Sequence, residues 1–154
     1  MLGVQISKGV NAQFKFVESA EKLFNEDFSD EENFVGNVEV VGEVLDDGLT
    51  LKIVGKIYCR KKFICDRCLI QAEENQVHEF DEEIDESEIV DGILDITELV
   101  RDTLIAAQPI QNLCKPDCKG LCPKCGENLN DGKCNCDKSD VDPRLAPLLR
   151  FNAV

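Results

Sequence analysis

From Phe34 onward the chain alternates. Val38, Val40, Gly42 and Val44 recur at every second position against Asn37, Glu39, Val41 and Glu43, the period of a strand with one buried face. Asp46, Asp47 and Gly48 then give a hairpin turn signal. The return strand puts Leu49, Leu51, Ile53, Ile57 and Cys59 on one face, and Thr50, Lys52, Val54, Lys56, Tyr58 and Arg60 on the other. One face is core and the other is basic with one aromatic. The strand runs on through Phe63 and Ile64 into Cys65-Asp66-Arg67-Cys68. Leu69 to Phe80 is expected to return antiparallel, which brings the two cysteines together at the end of the sheet.

The flanking pattern is less regular. Val4 and Ile6 fit a short strand, whereas Val17 to Asn33 is rich in charge, and the spacing of Phe14, Phe16, Leu23, Phe24 and Phe28 does not separate helix from strand. The run from Asp81 to Glu88 reads as a solvated loop or ragged strand. A helix is expected over about 95–107. Asp95 and Glu98 have capping-box spacing, Leu94 and Leu99 that of a hydrophobic staple, and Pro109 ends the segment. Ile96, Leu99, Val100, Thr103, Leu104 and Ala107 form its apolar stripe. Beyond residue 140, Asp142-Pro143 opens at most one helical turn before Pro147, and Leu145, Leu148, Leu149 and Phe151 are expected to dock as a tail.

The chemistry lies in between. Cys114, Cys118, Cys122, Cys125, Cys134 and Cys136 fall within one short segment, and Cys122-Pro123-Lys124-Cys125-Gly126 has the form of a zinc knuckle. In such a knuckle a tight turn aims two thiolates at one metal. Cys134 and Cys136, reached through the Asn130-Asp131-Gly132 turn, complete a closed all-thiolate site of a structural kind. Cys122, Cys125, Cys134 and Cys136 are thus the first choice of ligands, with Cys114 and Cys118 able to replace one pair. Zinc is the expected metal, and rubredoxin-like iron the alternative. At Cys65 and Cys68 the β-turn context favours packing at the hairpin; the other readings are a second metal site completed by Cys114 and Cys118, or a redox dithiol. Cys59 lies on the apolar face and reads as core.

Composition narrows the setting. No window reaches the roughly 18 apolar residues of a membrane span, and Met1 to Val10 lack the apolar core of a signal peptide. A cytoplasmic chain is expected, in which nine cysteines serve as metal ligands or free thiols. Asp and Glu number 31 against 17 Lys and Arg, for a net charge of −14. That field favours basic partners. The charge is also segregated. Lys52, Lys56, Arg60, Lys61, Lys62 and Arg67, with Tyr58 among them, form a candidate RNA surface, while Glu73 to Asp102 is dominated by acids and has Arg101 as its only Lys or Arg. The plainer reading of the cations is a charged outer face paired with those acids. Catalytic signatures are lacking: His78 is the sole histidine, and no phosphate loop is present.

Cys65-Asp66-Arg67-Cys68-Leu69 after a basic strand, the Ile93 to Pro109 segment, the Cys118 to Cys136 cluster with Asn128-Leu129-Asn130, and the closing Asp142-Pro143-Arg144-Leu145 together resemble the bacterial YceD family. The resemblance covers roughly residues 34–149. It implies a role in accumulation of large-subunit ribosomal RNA, in a family found in bacteria and plastids and without a known enzymatic reaction. Some members lack the carboxy-terminal cysteine cluster, so a metal module is not the whole of the shared activity.

The expectation is therefore an α+β chain. A mainly antiparallel β-sheet with one packed helix occupies residues 1–110, a zinc-binding module 111–140 and a docking tail 141–154. Its expected role is that of a non-enzymatic factor in 23S rRNA accumulation and large-subunit biogenesis, which binds ribosomal RNA or a basic ribosomal protein. The alternative is a cytosolic thiol-redox or metal-handling protein using Cys65 and Cys68.

Overall fold

The structure, a computed structural model, describes residues 2–7, 9–24, 34–46, 50–136 and 144. Within them the alternating segments form an antiparallel meander. Strands β2 (Ala12–Ser19), β3 (Asn37–Asp46), β4 (Leu51–Ile64) and β5 (Gln71–Ile84) pair in chain order. Val40 faces Ile57 and Val44 faces Ile53 across β3 and β4, so the period of two becomes one apolar face. Val38, Val40, Val44, Ile53 and Ile57 are all buried on it. The predicted turn at 47–49 falls outside the described residues. So do Phe28 and, apart from Arg144, the predicted tail.

A second, smaller sheet lies in the order β1 (Gly3–Gln5), β7 (Ile93–Asp95), β6 (Ile89–Val90). It joins α1 (Ala20–Phe24) and α2 (Thr97–Ala106) in covering the apolar face. Leu2, Val4, Leu23, Phe24, Leu94, Ile96, Val100 and Leu104 complete a single core with the strand residues. The Phe24 and Phe34 rings stack at 5.1 Å, and Arg101 Nε donates to the Leu23 carbonyl across the two helices at 3.1 Å.

Two expectations need correction. The helix starts at Thr97, not Asp95, because Asp95 is the last residue of β7; its Oδ1 still accepts from Thr97 N at 3.0 Å, while the N-cap position falls to Ile96. The capping box lies elsewhere, between Asp85 and Glu88 around a short 3-10 helix. Of the two readings of the acidic run, the strand holds as far as Ile84, since every residue from Gln71 to Ile84 keeps a partner on β4.

Gly42 and Gly55 face each other on the inner side of the sheet. A methyl group at Gly42 would lie 2.5 Å from the Val54 carbonyl oxygen and 2.7 Å from Phe14 Cζ. The absent side chains let the strands bend together beneath the Phe14 and Phe80 rings. Past Tyr58 the β3 register ends, and β4 continues to Ile64 paired with β5, touched by Phe34 and Val35. This projecting ribbon ends at Cys65. A two-stranded ribbon is marginal in water on its own, so its tip needs a clasp.

Candidate metal centres

The ribbon tip and the cysteine-rich segment meet. Cys65, Cys68, Cys114 and Cys118 gather their sulfurs in one group, and Cys122, Cys125, Cys134 and Cys136 in another; within each, all four lie within 4.8 Å of one another. In a tetrahedral zinc–thiolate site a 2.3 Å bond length sets neighbouring sulfurs about 3.8 Å apart. Cys65 Sγ stands 3.8 Å from Cys118 Sγ, and Cys68 Sγ 3.5 Å from Cys114 Sγ. All nine cysteines are free of disulfides. Two groups of four soft donors at this spacing fit a metal ion each.

Each group is built on the same turn. Leu69 N donates to the Cys65 carbonyl at 2.9 Å, and Gly126 N to the Cys122 carbonyl at 2.8 Å. Both residues have positive φ, 58° at Leu69 and 75° at Gly126. Cys65-Asp66-Arg67-Cys68 therefore makes the same backbone turn as Cys122-Pro123-Lys124-Cys125. Of the readings open for those cysteines, this geometry favours the second metal site completed by Cys114 and Cys118 over packing at the hairpin alone. The count carried the signal, because nine cysteines less the core residue Cys59 leave two sets of four. Cys59 is buried as expected, and burial pushes its thiol up to about 11.

The first centre is enclosed. Cys65, Cys68 and Cys118 are buried, packed by Leu113 and Leu121. The residues between the knuckle cysteines tie it to the incoming segment. Asp66 Oδ2 accepts from Asn112 N at 2.7 Å, Asp66 N donates back to the Asn112 carbonyl at 2.9 Å, and Arg67 Nη1 donates to the Cys118 carbonyl at 2.9 Å. The expected module at 111–140 thus shares its first centre with the sheet. The second centre is more open, with Cys125 exposed and Cys134 and Cys136 half-buried. It is closed by Cys122 N donating to the Glu127 carbonyl at 2.8 Å and by a bridge between Leu121 and Asn128.

The electrostatics suit a cation. Backbone N–H groups, that of Cys114 foremost, bring the Cys65 thiol down to about 6, and those of Cys125 and Lys124 do the same for Cys122. Burial, then the neighbouring Cys68, pushes Cys114 up to about 12, and Cys125 pushes Cys136 to about 12. Crowded thiols cannot all ionise without a counter-charge. A bound metal ion supplies one.

The cations proposed as an RNA surface are largely engaged. Lys52 bonds Asp81 at 2.7 Å and Lys56 bonds Glu79 at 2.8 Å; each acid holds its lysine above the ordinary range. Lys61 belongs to the inner face by alternation and is 2% exposed. Its ammonium reaches Asn112 Oδ1 at 2.7 Å and lies 5.7 Å from the Phe63 ring centre, which removes it from any outer surface. Arg67 serves the first centre. Arg60 and Tyr58 are exposed and Lys62 is half-exposed. His78 lies within 3.2 Å of Gln76, and burial lowers its pKa. No helix among the described residues is long and apolar enough to cross a membrane.

Comparison with known proteins places the chain. A family model described as "Large ribosomal RNA subunit accumulation protein YceD" matches residues 66–152. Among curated proteins, the "Large ribosomal RNA subunit accumulation protein YCED homolog 1, chloroplastic" of Arabidopsis thaliana is 40% identical over 55 residues, 36% of this chain and 17% of that protein. The Zea mays protein of the same name is 39% identical over 59 residues, 38% of this chain and 20% of its own length. An uncharacterized Mycobacterium tuberculosis protein is 33% identical over 70 residues, 46% of this chain and 33% of its own. The matches thus span a third or less of these relatives' lengths. No solved structure matches the chain.

Proposed function

We propose that this chain, which belongs to the YceD family of large ribosomal RNA subunit accumulation proteins, is a non-enzymatic cytoplasmic factor in large-subunit biogenesis. It supports 23S rRNA accumulation by holding a basic protein of that subunit along its acidic β5 edge, while zinc orders the cysteine-rich end. The observation that carries this reading is the contrast between the two sides of the charge pattern. Lys52, Lys56, Lys61 and Arg67 have partners within the chain, the first two taking up Asp81 and Glu79; Glu73, Glu74, Glu82 and Glu83 stand along the same β5, the last strand of its sheet, and are all exposed. An acidic edge on a chain of net charge −14 attracts cationic partners and repels nucleic acid. Zinc is favoured over iron because closed four-thiolate sites built on two knuckles are its ordinary structural use. A redox role has less support, since Cys65 and Cys68 share their cluster with Cys114 and Cys118.

The test is a pair of charge reversals read by 23S rRNA level and by the large-subunit proteins that copurify. Glu73, Glu74, Glu82 and Glu83 changed together to Lys are expected to abolish capture of basic proteins and to lower 23S rRNA. Arg60→Glu with Lys56→Glu is expected to leave both near normal. The opposite result would make exposed Arg60, with Lys62 and Tyr58, an RNA-binding surface and overturn the protein-holding mode.

A further inference from the structure

Asn130 stands between the two centres. It lies in the loop that links Cys125 to Cys134, both in the second cluster, yet its side chain reaches the first. Asn130 Oδ1 accepts from Lys119 N at 3.0 Å, which fixes the amide's orientation. Nδ2 is then left to donate to Asn128 Oδ1 at 2.9 Å and to Cys118 Sγ at 3.4 Å. Cys118 is 2% exposed, so little water is at hand to replace that donor.

The loop's shape is what delivers the amide. Asn130 N donates to Asn128 Oδ1 at 3.0 Å, Asp131 N to the Asn128 carbonyl at 3.2 Å and Leu129 N to the Gly120 carbonyl at 2.9 Å. On the other side Leu121 N donates to the Arg67 carbonyl at 3.1 Å, joining the first knuckle to the start of the second. The approach is close: a methyl group at Gly120 would lie 3.0 Å from the Arg67 oxygen. The ends of the Asn130 loop are set by Cys122, Cys125, Cys134 and Cys136, which only a bound metal would fasten together.

We propose that the two clusters bind two metal ions as a coupled pair, with Asn130 as the positioning residue that transmits the coupling. Closing the second cluster on its metal presents the Asn130 amide to the Cys118 thiolate. That N–H disperses charge on the sulfur and tightens metal binding at the first cluster. Binding linkage is reciprocal, so metal at the first cluster tightens the second by the same factor. The proposal rests on the reading that the clusters bind zinc, and the experiment separates the two.

Zinc content and competitive chelator titration would be measured on the full chain purified under reducing conditions, with cobalt substitution to report thiolate coordination. Two metal ions per chain are expected. Asn130→Ala should keep both but weaken, by roughly 10- to 100-fold, the ion that Cys65→Ser with Cys68→Ser removes. Cys122→Ser with Cys125→Ser should retain one ion, weakened to a similar degree, and adding Asn130→Ala should then change little more, because the two changes break the same link. The coupling is overturned if Asn130→Ala leaves both affinities unchanged, or if its effect is undiminished without the second knuckle. One ion per chain would overturn the pair while sparing the zinc reading; no metal at all would overturn the zinc reading itself. If the double-serine variant fails to fold, Asn130→Ala, a half-buried loop position, decides alone.

Discussion

The knuckle at Cys65–Leu69 and the knuckle at Cys122–Gly126 make the same backbone turn, with the same hydrogen bond and the same positive φ after the second cysteine. Their surroundings differ. The first grows out of the β4–β5 ribbon and uses Asp66 and Arg67 to grip the incoming segment. The second stands in loops, with Pro123, Lys124 and Cys125 exposed. One is a clasp that fastens the cysteine-rich segment to the sheet, and the other organises that segment. A local motif therefore fixes what a site can bind, and the elements around it fix what binding accomplishes.

The largest effect expected from this contrast follows metal removal. Structural zinc sites contribute about 10–16 kcal/mol each in apparent binding free energy at pH 7, far more than the few apolar side chains of this end. After chelation under reducing conditions, amide exchange should accelerate across residues 110–136 and in the ribbon at 59–64 and 71–76. The amides of β3 and α2, held by the main core, should stay protected. Protection persisting at the ribbon tip would mean that side-chain packing, not metal, closes the first knuckle, and the clasp would be lost as an idea.

A smaller effect compares the residues between the cysteines. Arg67 and Lys124 occupy equivalent positions, each just before the second cysteine of its knuckle. Arg67→Ala removes a charged donor from the Cys118 carbonyl and should cost about 1–2 kcal/mol. Lys124→Ala, at an exposed position, should stay within about 0.5 kcal/mol. Thermal unfolding of the zinc-loaded chain measures both. Equal costs would show that the first knuckle gains nothing from its grip.

The same contrast explains what the sequence made legible. Strong alternation placed Val38 to Val44 and Ile53 to Cys59 correctly, because a single buried face leaves a period of two. Lys61 was misplaced because its charge suggested an outer position, whereas alternation puts it inside beside Asn112 and Phe63; a lysine's long stem can run through apolar surroundings to a polar contact. The second knuckle was readable from Gly126, the residue that accepts positive φ without strain. The first is named in the sequence only among alternatives, because Leu69 holds the matching position and its partners Cys114 and Cys118 lie more than forty residues away, a separation at which spacing alone does not choose between packing and metal. Asn130 is legible in the sequence only as a turn residue, since its contact with Cys118 depends on two segments meeting.

Leu69 gives the finest test of the comparison. A residue with a Cβ costs roughly 1–2 kcal/mol in the left-handed region, and glycine in its place adds about 0.5–1 kcal/mol of unfolded-state entropy to be lost on folding. Leu69 is 64% exposed, so little burial is forfeited by removing it. Leu69→Gly should therefore stabilise the chain by about 0.5 kcal/mol, and Gly126→Ala should destabilise it by about 1 kcal/mol, even though a methyl group at Gly126 meets nothing within 4 Å. Denaturant unfolding of the two zinc-loaded variants, each with its metal content checked, gives the signs. If Leu69→Gly is destabilising, the exposed leucine makes a stabilising contact of its own, and the two knuckles are alike in backbone alone.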